Sequence, residues 1–206
     1  MSTSARRSAP IRWGEPGPSG LGRLVARVRA LLGEDRPGER QTLGTLPLAL
    51  QRSAPAAPYL EAAASSDHQR AGAAALVAME QAVQRAEWWP ADIWGHRALW
   101  HFEQAGMELA ATRAARLIGE LRSAAGDPAS ARRYYAEAIS EARDIGAERE
   151  QGLAALGLGR AQLELGDVTT ARRLAAIAID LLTRADAPQA ELDAARELRG
   201  QEKEVG

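Results

Sequence analysis

Two segments of the chain carry the same pattern, and they decide its fold. Residues 116–139 read RLIGELRSAAGDPASARRYYAEAI, and residues 156–179 read LGLGRAQLELGDVTTARRLAAIAI. The positions that agree include Gly119 with Gly159, Gly126-Asp127 with Gly166-Asp167, Ala131-Arg132-Arg133 with Ala171-Arg172-Arg173, and Ala138-Ile139 with Ala178-Ile179. Agreement at a fixed offset predicts a repeat architecture in place of a single compact domain.

Each copy has the features of two helices joined by a tight turn. Glycine adopts the left-handed conformation that ends a helix and aspartate caps the next one, so Gly126-Asp127 marks the turn in the first copy. Pro128 then falls at the first position of the following helix, where its missing N–H costs no hydrogen bond. One such pair cannot bury its apolar stripe alone, so we expect the copies to stack on one another.

The two copies resemble the tetratricopeptide repeat (TPR) when Thr112 and Gly152 are taken as its first positions. The matches are the small residues at position 8 (Gly119, Gly159), the Gly-Asp turns, and the alanines at positions 20 (Ala131, Ala171) and 27 (Ala138, Ala178). The aromatic residue of position 24 is present as Tyr135 in the first copy only. Because its period is longer than that of the common TPR, the chain is most similar to the long-period TPR proteins of bacteria. The resemblance implies an all-α solenoid of antiparallel helix pairs.

The flanking sequence predicts how this solenoid begins and ends. We expect a flexible N-terminal arm over residues 1–58, because its start is rich in Ser, Pro and Gly, with a short basic amphipathic helix at 21–32. The TPR-like helical domain then covers 59–206. Its expected parts are a degenerate pair at 59–106, repeats at 107–145 and 148–184, and a polar capping helix at 188–203.

Composition excludes several classes of function. The net charge of −1 gives no basic field for direct binding of nucleic acid. The absence of Cys excludes disulfides and thiol chemistry, and it is typical of a cytoplasmic protein. No apolar run approaches the length of a membrane span. We therefore expect a cytoplasmic protein without a membrane span.

The resemblance implies a concave groove lined by the first helix of each pair. The residues at its lining positions that we select as a partner site are Arg113, Arg116, Glu120, Leu156, Arg160 and Glu164. Arginine binds carboxylates through two parallel hydrogen bonds, so arginines with interspersed leucines suit an acidic or amphipathic segment. The expected partner is thus another protein or a peptide.

A second candidate site is an unusual concentration of aromatic residues and histidines between Trp88 and Phe102. Its members are Trp88, Trp89, Trp94, His96, Trp100 and His101. Tryptophan is enriched in binding hot spots, and it also fills space in a core that is otherwise built of alanine. The two interpretations differ in whether several of the indoles remain exposed.

The sequence contains no constellation that predicts catalysis, a metal or a cofactor. His96 and His101 are five residues apart, which points them to different faces of a helix, whereas a helical zinc pair needs a spacing of four. The Gly157-Leu158-Gly159 triplet lacks the third glycine and the preceding strand of a nucleotide-binding loop. We interpret these glycines as a helix-packing feature.

These observations favour a non-catalytic module for protein–protein interaction, an adaptor, scaffold or regulatory protein that binds its partner in the groove. The alternative is a small-molecule binder or an enzyme that uses residues 88–102. Formation of a homo-oligomer through an exposed apolar helix face or through residues 21–32 is a third alternative.

Overall fold

A computed structural model of the chain describes residues 46–53 and 55–201. The predicted amphipathic helix at 21–32 lies outside the described residues, as does the rest of the expected arm up to residue 45. Within the described ranges the chain forms nine α-helices and no strand, which confirms the all-α fold class.

Consecutive helices pack against one another in chain order, as a helical-repeat fold requires. The helices are α1 (Leu48–Gln51), α2 (Ala56–Ala64), α3 (His68–Gln84), α4 (Trp88–Gln104), α5 (Glu108–Ala124), α6 (Pro128–Asp144), α7 (Glu148–Glu164), α8 (Val168–Arg184) and α9 (Gln189–Gly200). From α3 to α8 every helix has 17 residues. The repeating unit is therefore a single helix and its turn, and one period of the sequence pattern contains two such units.

The seven turns between α2 and α9 recur at a constant interval, and each places one residue in the left-handed conformation. These residues are Ser66, Ala86, Gly106, Gly126, Gly146, Gly166 and Asp186, with φ between 48° and 85°. In each turn the next N–H donates to the carbonyl five residues earlier, as from Asp127 to Arg122 at 2.9 Å. This hydrogen bond closes the Schellman motif, which satisfies carbonyls at the end of the helix. The breaks predicted at Gly126 and Gly166 are confirmed.

Three of the turns are followed by a capping aspartate. The side chains of Asp67, Asp127 and Asp167 accept hydrogen bonds from the backbone N–H three residues later, each at 3.0 Å. These caps begin α3, α6 and α8. The capping role predicted for Asp127 and Asp167 is confirmed, and Asp67 adds a third case.

The pair α3–α4 has the same register as the two copies that the sequence shows clearly. Ala91 and Ala98 precede Ala131 and Ala138 by one full period, and all four are completely buried. The expected degenerate pair at 59–106 thus contains a full helix pair between His68 and Gln104. It also contains most of α2, which ends before the left-handed residue Ser66.

The N-terminal boundary of the packed domain differs from the expected one at residue 58. Leu46, Leu50 and Ala56 are all at most 6% exposed, and they belong to the same core cluster as Tyr59. Residues assigned to the arm thus bury apolar surface, since the first complete helix pair needs a cover on its outer end.

Glycines in one helix provide the space for large side chains of the next. Tyr135 on α6 lies between Gly119 on α5 and Gly157 on α7. A Cβ atom at Gly119 would lie 2.9 Å from the Tyr135 ring, and one at Gly157 would lie only 2.4 Å from it. Gly159 in the same way faces Leu198 of α9. The helix-packing interpretation of Gly157 and Gly159 is confirmed.

The odd-numbered and even-numbered helices from α3 onward differ in position. Besides consecutive helices, α5 lies close to α7 along the backbone, and α7 lies close to α9. We call α3, α5, α7 and α9 the first helices and α4, α6 and α8 the second helices. Because first helices approach one another, we call the face that they share the inner surface.

Replacement of Gly157 by alanine tests the packing of Tyr135. Overpacking costs about 1–3 kcal/mol, which exceeds the gain of roughly 1 kcal/mol in helix propensity, so we expect a lower free energy of unfolding in urea. In a Tyr135→Ala background the same change should instead be neutral or stabilising. Gly200→Ala is the control, because no atom lies within 4 Å of its added Cβ. Equal effects of Gly157→Ala in both backgrounds would contradict the packing argument.

Candidate functional site

A network of four charged side chains joins α5 to α7 on the inner surface. Glu150 accepts hydrogen bonds from Arg113 Nε at 3.0 Å and from Arg116 Nε at 2.8 Å, one to each carboxylate oxygen. Arg116 Nη1 donates in addition to Glu120 Oε1, one turn further along α5. We call these residues, Arg113, Arg116, Glu120 and Glu150, the charge network. It fixes α5 and α7 side by side.

The ionisation of Glu150 depends on its two arginine neighbours. The residue is only 4% exposed, and burial alone would raise its pKa. Hydrogen bonds and charge from Arg116, and then from Arg113, outweigh burial and hold the pKa of Glu150 below its ordinary value. Glu150 is therefore a buried, fully ionised carboxylate in the neutral pH range.

The structure divides the predicted groove residues into two groups. Arg116 is 9% exposed within the charge network, and Leu156 is 5% exposed within the core between α7, α8 and α9. Neither has a side chain available at the surface. The exposed members are Arg113 and Glu120 on α5, and Arg160 and Glu164 on α7.

Arg160 and Glu164 line an open depression of about 240 Å³ between α7 and α9. Leu163 and Leu198 supply its apolar part, and Glu197 supplies a second carboxylate. Among residues 46–53 and 55–201, no carboxylate forms an ion pair with Arg160. The depression therefore combines a guanidinium with an apolar floor.

The tryptophans of residues 88–102 do not share one environment. Trp94 is 1% exposed and packs edge-on against Tyr59 of α2 at 5.2 Å between ring centroids. Trp88, Trp89 and Trp100 are 39%, 57% and 40% exposed. One indole thus fills the core, and three remain at the surface.

His101 belongs to a buried polar cluster between α2, α3 and α4. Its Nε2 lies 3.2 Å from the Tyr59 hydroxyl, and its Nδ1 lies 2.9 Å from Nδ1 of His68. Arg97 Nη1 donates to the same Tyr59 hydroxyl at 2.7 Å. Burial, with the charges of His68 and Arg97, lowers the pKa of His101 to about 4. His101 is therefore a neutral, hydrogen-bonded core residue near neutral pH.

His96 faces away from that cluster, as its spacing from His101 predicted. Its Nε2 lies 2.9 Å from the Tyr134 hydroxyl of α6, and its Nδ1 lies 2.8 Å from the carbonyl oxygen of Asp92. The carboxylate of Asp92 binds Arg122 of α5 at 2.6 Å. His96 therefore helps to join α4 to α6.

Sequence reasoning missed a group of carboxylates between α4 and α6. Glu103, near the end of α4, is 8% exposed, and it interacts electrostatically with Glu137 and Glu141 of α6. We call Glu103, Glu137 and Glu141 the acidic seam. Burial and Glu137 raise the pKa of Glu103 to about 7. Burial, Glu137, Glu103 and two further carboxylates, on Asp144 and Glu108, raise the pKa of Glu141 to about 8.

The buried Glu150 gives the first test of this description. Arg116→Ala leaves its carboxylate buried with only one partner, so we expect a loss of about 3–5 kcal/mol in the free energy of unfolding. The side chain of Arg113 is 47% exposed, so Arg113→Ala should cost about 1 kcal/mol or less. Chemical denaturation at pH 7 measures both. Similar losses for the two variants would show that burial does not distinguish the two arginines.

The acidic seam gives a pH-dependent test. A carboxyl whose pKa is raised by folding binds its proton more tightly in the folded state. Its contribution to stability is therefore present below pH 4.5 and is lost as the pH rises to about 7 or 8. Glu103→Gln removes one such group. The free energy of unfolding of the variant, relative to that of the wild type, should therefore rise by about 1–3 kcal/mol between pH 5 and pH 8.

Thermal or urea unfolding across this pH range measures the difference. Thr169→Ala, at an exposed position on α8, removes no ionisable group, so as the control it should show a difference that stays constant with pH. A constant difference for Glu103→Gln as well would contradict the raised pKa.

Three further findings concern membrane spans, metal sites and the comparison of this chain with known proteins. In the described part of the chain, no helix has both the length and the apolar character needed to cross a bilayer. Across the same residues, no three His, Asp or Glu side chains are grouped so as to hold a metal ion. Neither the family models nor the curated proteins with which the sequence was compared match this chain.

Proposed function

We propose that the chain is a TPR-like, non-catalytic interaction module of the cytoplasm, with an adaptor or regulatory role, that binds a segment of another protein on its inner surface. The observation that carries the proposal is the charge network, because it holds two first helices side by side. Exposed polar residues of both helices thus form one continuous surface. An extended surface of this kind is what stacked repeats offer to a partner.

The exposed residues on this surface indicate the chemistry of the partner. Arg113 and Arg160 present guanidinium groups on neighbouring helices, and Arg160 stands beside the apolar floor formed by Leu163 and Leu198. A guanidinium next to apolar side chains suits a carboxylate that is followed by an apolar residue. An acidic, amphipathic peptide segment therefore fits this surface best.

The alternative based on residues 88–102 has less support. Trp94 and His101 are buried on the side of α2 and α3, whereas His96 faces α6. These side chains do not converge on a common point where a substrate could meet both histidines. The exposed Trp88, Trp89 and Trp100 remain a surface that a partner could contact.

The test compares two double variants with equal changes in charge. Arg113→Ala with Arg160→Ala alters the inner surface without touching the buried Arg116. Arg132→Ala with Arg173→Ala alters exposed positions on the second helices α6 and α8. Each protein, shown to be folded by circular dichroism, is immobilised and exposed to a lysate of the source organism. Captured proteins are identified by mass spectrometry and then purified for titration.

We expect a partner that the wild type and the α6/α8 variant bind alike and that the inner-surface variant binds at least tenfold more weakly. Equal binding by all three proteins would move the contact to another surface, such as the exposed tryptophans. A concentration-dependent increase in the mass of the wild type that the inner-surface variant lacks would show that the partner is a second copy of the chain.

A further inference from the structure

The acidic seam lies on the second helices, apart from the inner surface, and the arrangement of Glu103 within it is unusual. Glu103 is more than nine-tenths buried, and its Oε1 atom has no hydrogen-bond partner among the residues that the structure describes. A buried carboxylate oxygen without a partner costs free energy, and native proteins retain such a group only where something compensates for it.

The groups that face Glu103 make this cost larger. Glu137 and Glu141 approach it from α6, while Asp144 at the end of α6 and Glu108 at the start of α5 add negative charge to Glu141. The charge network shows the opposite arrangement, in which two arginines neutralise Glu150. Like charges that are held away from water are relieved either by protons or by a bound cation.

We propose that the acidic seam is a binding site for one organic cation, the guanidinium or alkylammonium group of a basic peptide side chain, with Oε1 of Glu103 as its principal acceptor. A metal ion suits the site less well, because none of the described carboxylates and histidines form a group of three with metal-binding geometry. A guanidinium has five donors in one plane, so it bridges carboxylates on two helices and satisfies the buried oxygen.

The cation has two conceivable sources with the same chemistry. One is a basic segment of a partner protein. The other is the chain itself, because residues 21–32 read LGRLVARVRALL and carry Arg23, Arg27 and Arg29. The experiment therefore needs a chain in which these three arginines are replaced by glutamine, alongside the unaltered chain.

The probe is a short capped peptide with a single arginine, compared with the same peptide carrying neutral citrulline, in titration calorimetry with the full chain at pH 8.5. We expect the arginine peptide to bind and the citrulline peptide not to bind. Glu103→Gln should weaken binding about tenfold or more, whereas Glu80→Gln, at an exposed position on α3, should leave it unchanged. A shift to pH 5.5 should weaken binding by a similar factor, because Glu103 and Glu141, whose pKa values are raised to about 7 and about 8, are then protonated.

Each outcome decides the proposal. Binding to the unaltered chain that is lost in Glu103→Gln supports a cation supplied by a partner. Binding that emerges only in the triple-glutamine chain, and is lost again on adding Glu103→Gln, supports the same site with an internal source. Equal binding to Glu103→Gln and its parent chain, or no binding in either background, overturns the proposal.

Discussion

The left-handed residue that closes each turn between α2 and α9 is the constraint on which the rest of this structure depends. Because it recurs at a constant interval, each helix from α3 to α8 has the same length and begins at an equivalent position. Equal helices bring equivalent side chains to equivalent contacts, so Ala91, Ala131 and Ala171 are all buried against neighbouring helices. Individual packing contacts, such as that of the Tyr135 ring between two glycines, depend on this regular spacing.

Two buried carboxylates show how the same fold produces opposite electrostatic environments. Glu150 and Glu103 are both less than a tenth exposed. Glu150 meets two arginines across first helices, which lowers its pKa, whereas Glu103 meets carboxylates across second helices, which raises its pKa. Burial has the same sign in both cases, so the neighbours decide the outcome. The two buried carboxylates therefore have opposite pKa shifts within one fold.

The sequence predicted the features that depend on residues close together in the chain. Gly126-Asp127 and Pro128 define a turn by local backbone chemistry, so the turn and the helices around it could be placed in advance. The pair α3–α4 was recognised only as degenerate, because Ala86-Glu87 replaces Gly-Asp in its turn. The sequence feature that identifies this pair is the position of Ala91 and Ala98, one period before Ala131 and Ala138.

Which residues form each candidate site depends on how the helices pack against one another. Sequence patterns within one helix carry no information about that packing. Arg116 and Leu156 occupy positions that are exposed in a generic groove, yet Glu150 from α7 binds Arg116, and α8 and α9 pack around Leu156. Glu103 could be recognised as unusual only after its burial was known. The exposed members, Arg113, Glu120, Arg160 and Glu164, are those at which the lining positions implied by the resemblance agree with the observed exposure.

The identity of the turns has a consequence for how the chain tolerates changes in length. The turns between α2 and α9 all have the same backbone geometry, so nothing in the backbone of a turn distinguishes a first helix from a second one. A duplication or loss of one helix pair keeps every later helix on its original face. The duplication or loss of a single helix with its turn is also compatible with the turn geometry. It moves the inner face of every later helix to the opposite side of the molecule, however. Lineages of this chain should therefore vary in length by whole pairs.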